Sequence, residues 1–464
     1  MSLPGARARR LLVIGLDCLA PALAFDRYLH AMPSLRALMD AGTWGTLRSC
    51  DPPITVPAWM VMATSRQPGS LGIYGFRHRR GHSYTDGWTA DATSFNTPAV
   101  WDHLGRAGAQ TCLVGFPPSY PPRPVPGWRV GCFLTRGTTR PFTYPAELAG
   151  EVLDVVPDYA FDVEFRTDDR ERLWERLCRM THGHFDLVEH LAATTAWDLL
   201  WLVEIGTDRV HHAFWKFADP AHPGYERGNR FESAMLDYYR LVDERVGRLL
   251  ETVGDDTAVL LVSDHGAKAM RGAFAINDWL AAEGWLVPRS TPAPGTPLER
   301  CDIDWARTRA WAWGGYYARV FLNVEGREPE GVVPAGRYEA TLAELGAAIA
   351  GIADAGGRRL DNRVLRPADL YPECRGDAPD LMVYLDDLSW RSAGTMGWDT
   401  FHLADNDTGP DDAVHAADGC FVLRLPGRPA GGHREGLRIY DVAPTILDLL
   451  GQPVPDEMEG RSCL

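Results

Sequence analysis

Seven residues, LLVIGLD (Leu11–Asp17), decide how this chain is expected to fold. A run rich in branched apolar residues ends abruptly in a carboxylate. This is the pattern of a strand that is buried on both faces of a parallel sheet and delivers an acidic group to the edge of that sheet. In open α/β sheets, ligands bind at the carboxyl ends of the strands. We therefore predict that Asp17 lies at a ligand-binding edge.

Two later segments repeat this pattern. DLLWLVEIGTD ends at Asp208, and AVLLVSDH ends at Asp264 and His265. Because the carboxyl ends of parallel strands meet at one edge of a sheet, the three carboxylates are expected to lie close together. A cluster of buried carboxylates is typical of a site that holds metal ions.

The length and the pattern of elements predict an α/β fold. We expect a three-layer sandwich with a mostly parallel central sheet and helices on both faces. A chain of 464 residues can form one large α/β core with insertions. We interpret residues 1–464 as a single catalytic domain, with cap insertions over the site at about 140–200, which is mainly helical, and about 290–380, which follows a proline-rich stretch.

The charge and the cysteines narrow the class of protein. The chain has 47 basic and 62 acidic residues, a net charge of 47 − 62 = −15, which argues against nucleic-acid partners. A small anionic substrate remains compatible, because bound metal ions dominate the local charge. The nine cysteines are scattered singly, as is typical of reduced thiols in a cytoplasmic protein. We expect Cys18, beside Asp17, to pack in the core.

The N-terminus superficially resembles an export signal. Residues 1–10 include three arginines and precede an apolar run. Asp17 interrupts that run early, so it is short for an export signal. No stretch of the chain approaches the roughly 20 apolar residues of a membrane span. We predict a cytoplasmic protein without membrane contact, and the sequence leaves its oligomeric state open.

Asp208 and His212 form the strongest local pattern. If a helix begins near Asp208, the i, i+4 spacing places both side chains on one face and creates half of a zinc site. The alternative is a helix-capping aspartate with an exposed histidine, and we weigh the two equally. His211 points about 100° away on such a helix, so we interpret it as a bystander.

A second pattern, Asp264–His265–Gly266, follows a predicted strand. A strand end that turns at glycine can direct both side chains at one cluster. A later ligand can come from His415 in DDAVHAADG or from His402 in DTFHLADND, and composition does not choose between them. Three aspartates and three histidines suffice for two borderline divalent ions, with zinc favoured and manganese as the alternative.

Thr55 is the candidate nucleophile. It lies in PPITVPAW, where Pro57 favours the first turn of a helix. A threonine hydroxyl is a weak nucleophile, but coordination to a metal lowers its pKa, and a helix N-terminus favours an anion. The alternative role of Thr55 is to cap the helix.

The motifs together resemble the alkaline phosphatase superfamily. They are GLDCLAP, PPITVPAW, GTDRVHHAFW, SDHGA, NVEGREPEGVV, HAADG and DVAPTILDLLGQPVPDEMEGR, in family order along the chain. The resemblance is to the type I phosphodiesterase and nucleotide pyrophosphatase branch, and within it to a bacterial group described as predicted phosphohydrolases or phosphomutases.

This resemblance implies a site with two metal ions. One ion would be held by Asp208, His212 and His415, and the other by Asp17, Asp264, His265 and the Thr55 oxygen. It also favours His415 over His402, because the family's last ligand is followed four residues later by a glycine, here Gly419. The family mechanism implies in-line attack on phosphorus by Thr55, followed by hydrolysis.

The implied function is metal-dependent hydrolysis of a small-molecule phosphodiester or pyrophosphate. A phosphomonoesterase or a phosphomutase is the nearest alternative, and an inactive binding protein on this fold is the alternative from another class. The family has a glycine where this chain has Cys18. The asparagine that nucleotide pyrophosphatases carry after the nucleophile is absent, since Ala58 and Trp59 occupy that stretch, so nucleotide specificity is not supported.

Three further groups are candidates for contacts with the substrate. Lys268, just after the DHG turn, is a candidate partner for a phosphate oxygen. The run of arginines in FRHRRGH is interpreted as a solvated loop in preference to a phosphate site. A cluster of tryptophans and tyrosines near residue 314 could pack in the protein or stack on a substrate ring, and we favour packing. The members of these two sets are Arg77, Arg79 and Arg80, and Trp311, Trp313, Tyr316 and Tyr317.

Overall fold

The strand predicted from LLVIGLD lies in the middle of a ten-stranded sheet in the computed structural model, which describes residues 8–464. Every residue of this strand is buried, as its unbroken apolar sequence predicts. Most of the basic N-terminal stretch, residues 1–7, lies outside the described residues.

The strands divide between this sheet and several small ones. Those in the first part of the chain are β1 (Leu11–Leu16), β2 (Thr43–Arg48), β3 (Arg77–Arg79), β4 (Gly87–Thr89), β5 (Thr111–Val114), β6 (Gly127–Val130), β7 (Thr143–Tyr144), β8 (Leu199–Glu204) and β9 (Ala258–Val262). Those that follow are β10 (Gly266–Ala269), β11 (Ala273–Phe274), β12 (Thr296–Pro297), β13 (Ala310–Trp313), β14 (Ala318–Leu322), β15 (Arg363–Leu365), β16 (Leu381–Tyr384), β17 (Arg391–Ser392), β18 (Thr395–Met396), β19 (His402–Leu403), β20 (Ala413–Ala416), β21 (Asp418–Arg424), β22 (Gly432–His433) and β23 (Leu437–Arg438).

The helices lie mainly between these strands. They are α1 (Pro33–Ala41), α2 (Thr55–Thr64), α3 (Pro68–Leu71), α4 (Val100–Arg106), α5 (Leu148–Val155), α6 (Arg170–Thr194), α7 (Gly206–Ala218), α8 (Ala234–Val253), α9 (Ile276–Ala282), α10 (Tyr338–Ala350), α11 (Pro367–Leu370) and α12 (Val442–Leu449).

The central sheet has the order β22-β2-β21-β9-β1-β8-β5-β6-β7, with β23 also paired to β2. Its five middle strands, β9, β1, β8, β5 and β6, are all parallel. Strand β21 is antiparallel to both β9 and β2, and β7 is antiparallel to β6. The predicted mostly parallel central sheet is therefore confirmed.

Helices cover both faces of this sheet. Alternate residues of β1 belong to two separate cores, with Leu12 and Ile14 on one face and Leu11 and Val13 on the other. The first core includes buried side chains of α1, α6, α7 and α8, and the second includes those of α2, α4 and α12. The three-layer α/β fold is thus as predicted.

The two predicted cap insertions have different structures. The long helix α6 of the 140–200 range does not cover the site, because its apolar face packs against α8 in the core under the sheet. Only the loop 156–169, between α5 and α6, reaches the cavity described below. The 290–380 range contributes most of an antiparallel sheet, β13-β14-β16-β15, which has its own core with α10. The division into domains stays a prediction.

The helices and the cysteines bear on two further predictions from the sequence. Among residues 8–464, no helix is both long enough and apolar enough to cross a membrane. All nine cysteines are free, as their scattered spacing predicts.

His78, in the hairpin of β3 and β4, leads to a prediction about acid stability. Its ring stacks on Trp88 with centroids 4.5 Å apart, and burial, assisted by the charge of Arg319, lowers the pKa of His78 to about 4. An unfolded histidine binds its proton near pH 6.5, so this group's contribution to stability is present above about pH 6.5 and is lost as the pH falls towards 4. We expect the loss to be about 3 kcal/mol.

The measurement is urea unfolding of the metal-free protein and of His78→Gln at about pH 7.5 and pH 4.5. Wild type should lose more stability between these pH values than His78→Gln, by about 3 kcal/mol. His30→Gln, which changes an exposed histidine, is the control and should behave as wild type. Equal losses in His78→Gln and wild type would contradict the prediction.

Candidate metal centre

Three aspartates meet at the carboxyl edge of the parallel strands. Asp17 follows β1 directly, and Asp264 lies two residues beyond the end of β9. Asp208 does not end the preceding strand as predicted, because β8 stops at Glu204 and Asp208 lies in the first turn of α7.

Glu204 explains this early end of the strand. One of its carboxylate oxygens accepts a hydrogen bond from the Gly206 backbone N–H at 2.8 Å, which stabilises the first turn of α7. The other lies 2.8 Å from Nδ1 of His184. Since these partners occupy Glu204, the helix starts early enough to present Asp208 and His212 from one face.

The structure brings every predicted ligand residue to this edge. The side chains form two trios, and within each trio one ligand atom from each residue lies within 4.8 Å of the others. All six residues are buried, each with at most 2% of its surface exposed. Their function as metal ligands stays a prediction. The trios are Asp208, His212 and His415, and Asp17, Asp264 and His265.

Inside each trio the histidine Nε2 atoms face carboxylate oxygens. Nε2 of His212 is 3.2 Å from Oδ1 of Asp208, and Nε2 of His415 is 3.7 Å from the same oxygen. In the other trio, Nε2 of His265 is 3.2 Å from Oδ2 of Asp264. The i, i+4 interpretation of Asp208 and His212 therefore agrees with the geometry.

The opposite nitrogen of each ring is occupied by an oxygen acceptor. Because carbonyl oxygens only accept, Nδ1 of His265 and of His415 carries the hydrogen and Nε2 keeps its lone pair for the cluster. In His212 the charge of Asp411 outweighs burial and raises the pKa well above its ordinary value. Such outer contacts orient metal-binding histidines and increase their basicity. The contacts are His212 with Asp411 Oδ1 at 2.6 Å, His265 with the Gly266 carbonyl at 3.2 Å, and His415 with the Pro53 carbonyl at 2.9 Å.

Four buried atoms of the two trios have no hydrogen-bond partner among the described residues. They are Asp17 Oδ1, Asp208 Oδ1, Asp264 Oδ2 and His415 Nε2. Each of the three carboxylates has a partner on one oxygen only, and a buried carboxylate oxygen without a partner is costly, so three such oxygens on one edge favour a compensating positive charge. Oxygen and neutral imidazole ligands suit divalent ions of the zinc and manganese type. The residues present therefore fit such ions.

The pKa values of these groups reflect the same environment. Burial raises the pKa of Asp17 well above its usual range, and the nearby Asp208 carboxylate adds to the increase. Burial, with the Asp17 charge, does the same for Asp264. Burial also opposes ionisation of Asp208, but the charges of His212 and Arg209 outweigh it and hold the pKa of Asp208 well below its ordinary value.

Two of the imidazoles are held neutral, which is the form that binds metal ions. Burial lowers the pKa of His265 to about 4. Burial, with the nearby His265, also lowers the pKa of His415 well below its ordinary value.

Thr55 lies beside the second trio. It is the first residue of α2, and its Oγ1 is 3.4 Å from Nε2 of His265. The N-cap position belongs to Ile54, which makes no side-chain cap, so the hydroxyl of Thr55 is not used for capping. The capping alternative is thus not supported, and the hydroxyl lies at a helix N-terminus as expected for a candidate nucleophile.

Several residues that support the site were not predicted from the sequence. The indole N–H of Trp59 donates to Oδ2 of Asp17 at 2.7 Å, which leaves only Oδ1 without a partner. Asp411 orients His212 and also accepts from the guanidinium of Arg391 at 2.9 Å. The signal for Asp411 was its position four residues before His415, in an acidic pair that resembles an ordinary solvated turn.

Tyr316, from the aromatic cluster, is part of the site. Its ring stacks on His415 with centroids 4.0 Å apart, and its hydroxyl is 3.2 Å from Nε2 of His212. Trp311 and Tyr317 are buried in the smaller cores, as the packing interpretation predicts. Trp313 is partly exposed and lines the cavity.

Cys18 is buried in the core, as expected, and its backbone conformation also brings its thiol to the edge of the site. Its φ of 64° is left-handed, so the alternation of a strand does not apply to its side chain. Sγ lies 3.3 Å from the Gly266 carbonyl, and a ligand atom of His265 and one of His415 lie within 4.8 Å of it. The thiol is therefore next to the candidate metal centre.

Three other candidates lie outside this centre. The ammonium of Lys268 pairs with Asp387, and Lys268 is not among the residues that line the cavity, so its substrate role has no support from the geometry. His402 contacts the Ala353 carbonyl at 3.1 Å and belongs to neither trio. His211 faces Tyr239, as expected of a bystander.

A cavity of about 660 Å³ opens onto Thr55, Asp208 and His415. The loop 156–169 and the strands β13 and β17 contribute to its walls. Its lining includes five arginines: Arg77, Arg166, Arg209, Arg319 and Arg391.

The arginines of FRHRRGH, which were interpreted as a solvated loop, differ in their exposure. Arg80 is exposed. Arg79 is buried and lies 3.1 Å from Glu328, because β3 packs on the smaller sheet.

The fold and the site define a class, that of α/β proteins with buried candidate metal ligands at the carboxyl edge of a mostly parallel sheet. The family model for type I phosphodiesterase / nucleotide pyrophosphatase matches residues 11–415. The chain therefore belongs to this family, which confirms the resemblance seen in its motifs.

Solved structures share the fold across nearly the whole chain. Phosphonoacetate hydrolase from Sinorhizobium meliloti, in complex with phosphonoformate, has a TM-score of 0.62 at 15% identity over 96% of both chains. Human ectonucleotide pyrophosphatase/phosphodiesterase 5 has a TM-score of 0.56 at 12% identity, again over 96% of both. A 2,3-bisphosphoglycerate-independent phosphoglycerate mutase from Cereibacter sphaeroides is 40% identical over 62 residues, which span 13% of this chain and 12% of the mutase.

Proposed function

We propose that this protein is a metal-dependent phosphohydrolase that cleaves a small-molecule phosphodiester or pyrophosphate, with Thr55 as the nucleophile. The observation that carries the proposal is the pair of buried trios with four unpartnered ligand atoms beside the Thr55 hydroxyl. Two divalent ions, zinc by preference or manganese, would be held by these trios. The ligands are Asp208, His212 and His415 for one ion, and Asp17, Asp264, His265 and the Thr55 oxygen for the other.

The residues of the chain prepare this chemistry. Thr55 presents its oxygen at the N-terminus of α2, where the helix favours negative charge. Trp59 orients Asp17, and Asp411 orients His212, so that the ligand atoms are held in place before the substrate arrives. When bound, the ions would lower the pKa of the Thr55 hydroxyl and neutralise charge on the phosphoryl group.

The shape of the cavity favours a substrate with a second substituent on phosphorus. Its volume of about 660 Å³ extends well beyond the space that a phosphate monoester with a small leaving group requires. The names of the similar structures support a phosphoryl substrate, since one is a phosphodiesterase and another a hydrolase bound to phosphonoformate. A murine form of the phosphodiesterase was solved with AMP.

A phosphomonoesterase or phosphomutase is the second candidate. The 62-residue match to a phosphoglycerate mutase favours this second candidate. Its sequence identity is 40%, against 15% for phosphonoacetate hydrolase. An inactive binding protein is disfavoured, since every candidate ligand and Thr55 are present and clustered. We further propose a cytoplasmic location, which the nine free cysteines favour.

The test compares bis(4-nitrophenyl) phosphate with 4-nitrophenyl phosphate as substrates. The protein is stripped with a chelator and reloaded with zinc or with manganese, and kcat/KM is measured for each form. We expect the diester to be preferred by at least about tenfold and the stripped protein to be inactive. A preference for the monoester would move the assignment to a phosphatase or mutase. A chain that takes up no divalent metal would contradict the proposal itself.

A further inference from the structure

The five arginines of the cavity fall into two groups by their ionic partners. Arg209 pairs with Asp162 at 2.7 Å, and Arg166 and Arg391 pair with Asp411 at 3.0 and 2.9 Å. Arg77 and Arg319 have no carboxylate within 4.0 Å among residues 8–464. The cavity thus holds two arginines without an ionic partner, one exposed (Arg77) and one partly buried (Arg319).

The hydrogen bonds of the Arg319 guanidinium go to backbone carbonyls. One guanidinium nitrogen donates to the Arg77 carbonyl, and the other donates to the Gly314 carbonyl at 3.3 Å. Carbonyl groups orient a guanidinium but do not neutralise it, and burial lowers the pKa of Arg319 below its ordinary value. The side chain is thus a partly desolvated cation without a counterion, which an anion in the cavity would stabilise.

Arg77 and Arg319 converge on one aromatic ring. Their Cζ atoms lie 5.7 and 5.5 Å from the ring centroid of Trp313, which also lines the cavity. Both guanidinium groups therefore make cation–π contacts with the same indole of the cavity wall. Guanidinium groups recognise carboxylate and phosphate oxygens in preference to other anions, because their paired N–H donors match the spacing of those oxygens.

The acidic residues of the cavity do not neutralise this pair. Asp407 accepts from the backbone N–H groups of Gly394 and Thr395 and from the Thr395 hydroxyl. Glu299 lines the cavity but makes no ion pair with either arginine. Asp162 and Asp208 are both engaged by Arg209.

We propose that Arg77 and Arg319 form a subsite for a second anionic group of the substrate, a carboxylate or a phosphate carried by its non-transferred part. The subsite rests on the proposed function, because it assumes that the phosphoryl group binds at Thr55 in the same cavity. The substrate class is accordingly a phosphate ester with two separated anionic groups. A neutral alkyl or aryl substituent leaves both cations unpaired.

The test uses three phosphodiesters of 4-nitrophenol on the metal-loaded full chain. Their second substituents are ethyl, 2-carboxyethyl and 2-phosphonoethyl. Wild type should cleave at least one anionic ester with a kcat/KM about 10-fold or more above that of the ethyl ester. Arg319→Gln and Arg77→Gln should each raise KM for that ester by about 10- to 100-fold and change the ethyl ester by less than about threefold.

Arg80→Gln is the matched control, since Arg80 is an exposed arginine of the same loop that faces Asp86. It should leave all three substrates unchanged. If Arg319→Gln fails to fold, Arg77→Gln decides, because Arg77 is exposed at the rim of the cavity. The ester that is preferred identifies the second group as carboxylate or phosphate.

The two proposals fail in different ways. Equal rates for the three esters, unaltered in both variants, would overturn the subsite and leave the hydrolase intact. If wild type cleaves none of them, the proposed function fails. Calorimetric titration with 3-phosphonopropanoate then tests the subsite alone: binding that is weakened by both variants supports it, and binding that is unaltered overturns it.

Discussion

Replacement of Thr55 by alanine is expected to reduce kcat for the preferred aryl phosphoester by at least about a thousandfold. The reason is that Thr55 Oγ1 is the candidate nucleophile at the edge of the second trio, 3.4 Å from Nε2 of His265. The metal content should remain close to that of wild type, because the three side chains of that trio, Asp17, Asp264 and His265, are untouched. The measurements are steady-state kinetics after zinc or manganese loading and metal analysis of the same samples.

Two variants serve as controls for Thr55→Ala. Thr55→Ser keeps a hydroxyl and should retain measurable activity. Thr64→Ala removes a buried hydroxyl at the other end of α2, where it donates to the Met60 carbonyl, and should keep the wild-type kcat. If Thr55→Ala turns over as fast as wild type, the threonine is not the nucleophile and a hydroxide on the metal attacks directly.

Replacement of His415 by alanine is expected to remove one of the two metal ions. Nε2 of His415 is buried without a partner and faces Asp208 Oδ1 at 3.7 Å, so its loss leaves the first trio with two side chains. We expect the metal content to fall from about two ions per chain to about one, and kcat to fall at least about a hundredfold. The measurement is metal analysis of the dialysed protein beside the kinetics.

His402→Ala is the matched control for this substitution. The two histidines were rivals for the same assignment, but His402 contacts the Ala353 carbonyl and lies outside both trios. His402→Ala should therefore keep both ions and the wild-type activity. Loss of a metal ion in His402→Ala, with no loss in His415→Ala, would reverse the assignment of the last ligand.

The parts of the site that follow from local sequence were predictable. Apolar runs that end in an acidic residue predicted β1 and β9, with Asp17 and Asp264 at their ends, because such runs are stable only when a sheet buries them. The i, i+4 spacing predicted that Asp208 and His212 share a helix face. The predicted strand β8 was too long, because it ends at Glu204. The side chain of Glu204 is held there by His184, which lies 20 positions earlier in the chain, and by the backbone N–H of Gly206.

The supporting contacts were not predictable in the same way. Trp59 looked like a departure from the family pattern, yet its N–H binds Asp17 from 42 positions away. Asp411 and Tyr316 reach His212 across 199 and 104 positions. No periodicity or spacing in the sequence encodes such distances, because the packing of α7, β13 and β20 around the sheet edge creates them.

The sequence by itself determined which chemistry is available: three acidic strand or helix ends, three histidines, and a threonine before a helix, all of which depend on short-range patterns of hydrophobicity and turn residues. Only the tertiary structure decided that the six ligand candidates meet in two trios, that the capping contact of Thr55 is absent, and that Arg77 and Arg319 lack counterions while three neighbouring arginines have them. The physical reason is that pairing and burial are properties of side chains brought together from distant segments, and each depends on every neighbour in the cavity at once.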